Sequence, residues 1–131
     1  MFLDASAMMA ILVEESDAAS LASRLEQSPQ PYTSPIAVYE AVAAVARRLN
    51  VTIRAAETSL DRFFESARVQ VVPITAEIGR FLLSAFDRYS RGRHPAALNM
   101  GDCFAYACAR RLDMPLLFKG DDFPLTDTTT A

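Results

Sequence analysis

The stretch on which the fold turns is Pro31-Tyr-Thr-Ser34-Pro35-Ile-Ala-Val-Tyr-Glu40-Ala-Val-Ala-Ala-Val-Ala46. Pro31-Tyr32-Thr33 reads as a brief strand. Ser34 then offers a side-chain cap, and Pro35 at the first helical position has no amide hydrogen to lose, so a helix runs from Ile36 to about Leu49. A strand passing through a capped turn into a helix is the half-unit of an α/β domain.

The same grammar repeats on both sides. Upstream, Phe2-Leu3-Asp4 is a short apolar strand ending on an acid, with Ser6 as the expected cap of an Ala7–Leu12 helix. Asp17 opens a second helical run, Ala18 to Glu26, which Pro29 and Pro31 stop. Downstream, Thr52 begins a helix to about Ala67, and Val69-Gln70-Val71-Val72 is a strand ending at Pro73. Thr75 caps a helix carrying Phe81, Leu82, Ala85 and Phe86 at helical spacing, and the polar Ser90–Pro95 segment is a loop. Asn99 caps a helix from Met100 to Leu112, Pro115–Phe118 is the last strand, and the Thr-rich tail after about 126 is expected to fray. Strands separated by one or two helices predict an α/β domain with a central, mostly parallel sheet of four to five strands.

Composition is consistent with this and excludes several classes. A chain of 131 residues that is 51% hydrophobic, with four Gly, suits a single domain spanning residues 1–131 that needs no disulfide or structural metal. Cys103 and Cys108 lie five apart on one predicted helix and cannot bridge each other, which fits a reducing compartment. Asp4 sits where a signal peptide would be apolar, and no segment reaches membrane-spanning length, so the expectation is a cytoplasmic protein with no membrane role. A net charge of −3 argues against a broad basic face for nucleic acid. The one dense basic cluster is Arg88-Tyr-Ser-Arg91-Gly-Arg93-His94.

Acids fall where an open parallel sheet gathers function, beyond the carboxyl ends of its strands. Asp4 ends the first strand, Asp121 and Asp122 follow the last, Asp102 lies in the first turn of a helix, and Glu40 comes soon after the second strand. Glu40 is the only polar side chain besides Tyr39 between Ile36 and Ala46, pointing away from the Val38, Val42, Val45 stripe toward Ala43, Ala44 and Arg47. Pairing with Arg47 would be an ordinary structural account of it. Capping is the ordinary account of Asp102, and turn hydrogen bonds that of Asp4. Together they demand more. Two carboxylates about 4 Å apart repel by about 4 kcal/mol at an effective dielectric near 20, so a cluster needs a cation. Oxygen donors without neighbouring His or Cys suit Mg2+ or Mn2+. The chain carries no zinc motif, P-loop or glycine-rich dinucleotide turn.

In their order and spacing these residues resemble the PIN domain, and within it the VapC-type ribonuclease toxins of VapBC toxin–antitoxin systems. The resemblance rests on Phe2-Leu-Asp-Ala-Ser6, on Ser34-Pro-Ile-Ala-Val-Tyr-Glu40, on Gly92-Arg-His-Pro-Ala-Ala-Leu-Asn-Met-Gly-Asp-Cys-Phe-Ala-Tyr-Ala107 and on Leu116-Leu-Phe-Lys-Gly-Asp-Asp-Phe123, and it covers essentially the whole chain. It implies a three-layer α/β/α fold and an Mg2+- or Mn2+-dependent endoribonuclease. It also implies a protein antitoxin as partner, RNA as substrate, and assembly as a homodimer or a toxin–antitoxin hetero-oligomer. Asp4, Glu40 and Asp102 carry over as metal-coordinating acids, with Asp122 as the fourth and Asp121 as the alternative. Ser6 and Asn99 carry over as supporting or substrate-positioning residues, and Arg91, Arg93, His94 and Lys119 stand as RNA-phosphate contacts. Phe118 stands where many of these domains have Thr or Ser. Rival expectations are a catalytically silent PIN module that binds RNA or protein, and a phosphatase- or receiver-like domain, whose Asp-x-Asp start is interrupted here by Ser6.

Overall fold

A computed structural model describes all residues, Met1–Ala131. Four strands, β1 (Phe2–Leu3), β2 (Tyr32–Thr33), β3 (Gln70–Val71) and β4 (Leu116–Leu117), form one sheet in the order β3-β2-β1-β4. Every pairing is parallel, with Phe2 opposite both Tyr32 and Leu116, and Thr33 opposite Val71. Six helices connect them: α1 (Ala5–Leu12), α2 (Ala18–Glu26), α3 (Pro35–Leu49), α4 (Ile53–Ala67), α5 (Ala76–Tyr89) and α6 (Met100–Arg111).

Alternation along the strands builds the three layers. Phe2 and Leu116 enter one core with α5 and α6, while their neighbours Leu3 and Leu117 enter the other with α1 to α4. The central strands are therefore apolar on both faces, as a covered parallel sheet requires. Phe63 and Phe64 of α4 pack half-buried against the second core.

The capping chemistry sets the helix starts. Ser34, Thr52, Thr75 and Asn99 each accept an amide hydrogen bond from the first turn of α3, α4, α5 and α6. The first helix differs from expectation. Its cap is Asp4, whose carboxylate accepts from the Ser6 amide, because the backbone leaves β1 extended at Asp4 and is already helical at Ala5.

The tail also differs, since it is hydrogen-bonded to the sheet edge. Leu116 donates to Thr129, Ala131 donates to Leu116, and Thr130 bridges Leu116 in parallel. Asp127 accepts from the Tyr106 hydroxyl at 2.6 Å and pairs with Arg88 at 3.3 Å. A 3-10 turn, Phe123–Leu125, with Phe123 buried against Phe118, carries the chain from β4 into this tail.

Candidate active site

The carboxyl ends of β1 and β4 and the N-termini of α1 and α6 meet at one edge, and four acids arrive there on four separate segments. Asp4 stands at the end of β1 and is 4% exposed. Its Oδ2 accepts from the Ser6 amide at 2.9 Å and from the Ser6 hydroxyl. The same hydroxyl accepts the Lys119 amide at 3.0 Å, so Ser6 ties the Asp4 carboxylate to the turn after β4. Burial raises the Asp4 pKa against the lowering effect of these hydrogen bonds.

Asp102 has two duties. It forms a reciprocal capping box with Asn99, its amide donating to Asn99 Oδ1 at 3.0 Å and its Oδ2 accepting the Asn99 amide at 2.9 Å. Oδ1 of Asp102 makes no hydrogen bond within the protein. Burial pushes this carboxyl up to about 6 against the Asn99 amide, with further raising from the charges of Asp4 and Asp122.

Glu40 projects from the middle of α3 with no hydrogen bond and no ion pair; the expected alternative of an Arg47 partner is not formed. Burial and then the charges of Asp4 and Asp102 push it up to about 7. Its carboxylate lies over Gly101, where a β-carbon would overlap it. Gly101 is the residue at this edge to which the sequence reading gave no role. Its signal was a glycine inside the first turn of a helix, which costs about 1 kcal/mol against alanine and so implies a packing reason.

Of the acid pair after β4, Asp122 is the one whose charge acts on Asp102. Both aspartates are exposed, and Asp121 is not among the charges raising Glu40 or Asp102.

The basic candidates separate. Lys119 Nζ is held by Glu15 and, at 3.0 Å, by Asp17, which pins the turn after β4 to the α1–α2 connection and occupies the ammonium. Arg93 pairs with Asp87 at 3.2 Å and lies over the Phe86 ring. His94 Nδ1 accepts the Ala96 amide at 3.1 Å, with its ring edge-on to Tyr89, so it braces its own loop. Arg91 alone of the expected phosphate contacts is exposed and free of ion pairs. Arg47, not foreseen as a contact, lines a cleft of about 300 Å³ with Ala5, Ser6, Tyr39, Glu40 and Ala44.

No three of the acids are drawn close enough to form a ready ligand cage. Their chemistry nonetheless fits a hard divalent cation: an all-carboxylate donor set, Glu40 and Asp102 raised by burial and then by neighbouring acid charges, and a glycine that leaves room for the Glu40 carboxylate.

Comparison with known proteins adds a family. The PIN domain family model matches residues 1–128. A Ribonuclease VapC of Mycolicibacterium smegmatis is 37% identical over 131 residues, covering 100% of this chain and 99% of its own. Ribonuclease VapC42 of Mycobacterium tuberculosis is 39% identical over 132 residues, covering 100% and 98%. The crystal structure of Mycobacterium tuberculosis VapC20, described as a Sarcin-Ricin loop cleaving toxin, superposes with a TM-score of 0.78 at 16% identity over 99% of this chain and 97% of that one, a likeness of fold.

Proposed function

We propose, from the premise that this chain belongs to the PIN domain family and to its VapC-type ribonucleases, that it is an endoribonuclease toxin hydrolysing RNA phosphodiester bonds with a divalent cation. One observation carries the reading. Asp4, Glu40, Asp102 and Asp122 converge from β1, α3, α6 and the turn after β4, and no cation of the protein neutralises Glu40, which is pushed up to about 7, or Asp102, which is pushed up to about 6.

Asp4, Glu40, Asp102 and Asp122 would hold Mg2+ or Mn2+. Such an ion, when bound, polarises the scissile phosphate and lowers the pKa of an attacking water. The chain's own residues do the rest. Ser6 holds Asp4 through Oδ2, and the capping box holds Asp102 through its Oδ2, leaving Asp102 Oδ1 without a hydrogen bond in the protein. Gly101 sets the depth of Glu40. Arg91 and Arg47, both exposed and unpaired, flank the acids as phosphate contacts, with Arg suited to bidentate binding.

The partner in this reading is a protein antitoxin whose cation takes the place of the metal among the acids, in a homodimer or toxin–antitoxin hetero-oligomer. A cytoplasmic site of action belongs to the same reading; no helix is long and apolar enough to cross a membrane. The test is cleavage of a mixed RNA pool by the purified chain with Mg2+ or Mn2+, with EDTA, and with Asp4→Asn. Cutting that needs the cation and disappears in the variant supports the reading. RNA binding without cutting, under every cation, would instead favour a catalytically silent PIN module.

A further inference from the structure

Next to the acid edge a second concavity, of about 560 Å³, opens between the C-terminal half of α5 and the start of α6. Leu98 and Cys103 are buried in it, and Leu83, Phe86 and Met100 stand exposed around it at 70%, 52% and 71%. Three polar side chains are set into this apolar lining: Ser90, Arg91 and Asn99.

Ser90 is 3% exposed, and its Oγ is the one buried side-chain polar atom of the protein with no hydrogen-bond partner. A hydroxyl buried without a partner in the protein is costly, and it is answered by an ordered water or by a bound ligand that displaces one. Arg91 has no ion pair. Asn99 uses Oδ1 to cap α6, while its side-chain nitrogen Nδ2 makes no hydrogen bond within the protein. Asn99 is also the capping partner of Asp102, so the groove and the acid edge share a wall.

We propose that this groove is a nucleobase subsite, which takes the base of a nucleotide beside the scissile phosphate of single-stranded RNA; the proposal rests on the ribonuclease reading above. A base has apolar faces and a polar edge, and an unpaired base is bound by stacking on aromatic and apolar side chains with hydrogen bonds to that edge. Phe86 and Met100 supply the faces, and the Ser90 hydroxyl and Asn99 amide supply donors and an acceptor for the edge. Arg91 stands at the same groove to hold the adjoining phosphate. The volume lies within the range of about 300 to 1,000 Å³ usual for small-molecule sites. The competing occupant is a second protein chain packed on Leu83, Phe86 and Met100. Such a patch accounts for the exposed apolar groups and gives no reason for a buried, unanswered hydroxyl.

The experiment uses the full chain and Ser90→Ala, which removes only the orphan oxygen. Cut sites in a random single-stranded RNA pool are sequenced, and the four nucleoside 5′-monophosphates are titrated into each protein with amide NMR shifts as the readout. Light scattering gives the mass of both proteins. The expected result is a base preference beside the cut that falls about five-fold in Ser90→Ala, the loss of one ordinary hydrogen bond. One monophosphate shifts the Ser90, Leu98 and Asn99 amides of the unaltered chain and binds the variant more weakly, with mass unchanged. An unaltered preference, absent shifts at those amides, or a mass that halves in the variant overturns the subsite. If the unaltered chain cuts no RNA yet a monophosphate shifts those amides, the nuclease reading has failed and the base-binding groove stands.

Discussion

Replacing Gly101 by Ala separates the position of Glu40 from the stability of the fold. The added β-carbon would sit far inside the 3.0 Å that real β-carbon contacts essentially never breach, and the atoms it meets belong to the Glu40 carboxyl. Gly101 does not have a positive φ, so its backbone accepts alanine, and alanine in a helix is favoured over glycine by about 1 kcal/mol. The carboxylate has no hydrogen bond to lose, so it swings away by about an ångström while the core stays intact. A misplacement of that size costs an active site on the order of 100-fold. The expected outcome is a melting temperature within a few degrees of the unaltered protein, with RNA cleavage down by about that factor. Glu40→Ala and the double variant complete a thermodynamic cycle. If Gly101 acts through Glu40, the double variant is no worse than Glu40→Ala alone. Full activity in Gly101→Ala, or losses that simply add, would refute the cradle.

Three further outcomes follow from the same contacts. Glu40 and Asp102 rise from ordinary values of 4.5 and 3.8 to about 7 and about 6, so the folded chain holds more protons than the unfolded one in that window. Stability in EDTA is therefore greatest below about pH 4 to 5 as far as these groups decide it, and is lost as pH rises through 6 to 7; Mg2+ should raise the melting temperature more at pH 8 than at pH 5, and melts flat across that range contradict the cluster. Tyr106→Phe deletes a 2.6 Å hydrogen bond to Asp127 and should cost about 1 kcal/mol in urea unfolding with cleavage unchanged, since the contact anchors the C-terminal tail and involves none of the four site acids. Lys119→Met should leave the KM for RNA within about two-fold and the melting temperature nearly unchanged, because its ammonium already faces Glu15 and Asp17 in solvent-screened pairs; a large rise in KM would restore it as a phosphate contact.

What the sequence made legible was local. Ser34-Pro35, Thr52, Thr75 and Asn99 announced four helix starts because a cap and its amide partner lie within three residues of each other. The acids were legible because a carboxylate at a strand end or in a nearly all-apolar helix departs from its surroundings. Contacts between distant segments were hidden. Glu40 over Gly101, Lys119 with Glu15 and Asp17, and Tyr106 with Asp127 each join elements far apart in the chain, and no periodicity marks them. The Asp4-for-Ser6 exchange at the first cap was hidden differently. Both residue types cap well, and the choice depends on where the backbone leaves the extended region, at φ −80 and ψ 157 for Asp4.

The distribution of cations is the strongest reason to see an ion site in the acids. Arg88 pairs with Asp127, Arg93 with Asp87, Arg111 with Glu77, and Lys119 with both Glu15 and Asp17. These acids are partly exposed, where pairing contributes least. Asp4 is almost wholly buried, Glu40 and Asp102 are partly so, and none has a cation. A chain stabilised by ion pairing alone would place a guanidinium or ammonium at this edge first, since the repulsion there is least screened. Hydrogen bonds from Ser6 and Asn99 hold two of these carboxylates without neutralising either. The charge needed to balance the edge is thus left to come from outside the chain, which is the place the proposed divalent ion would fill.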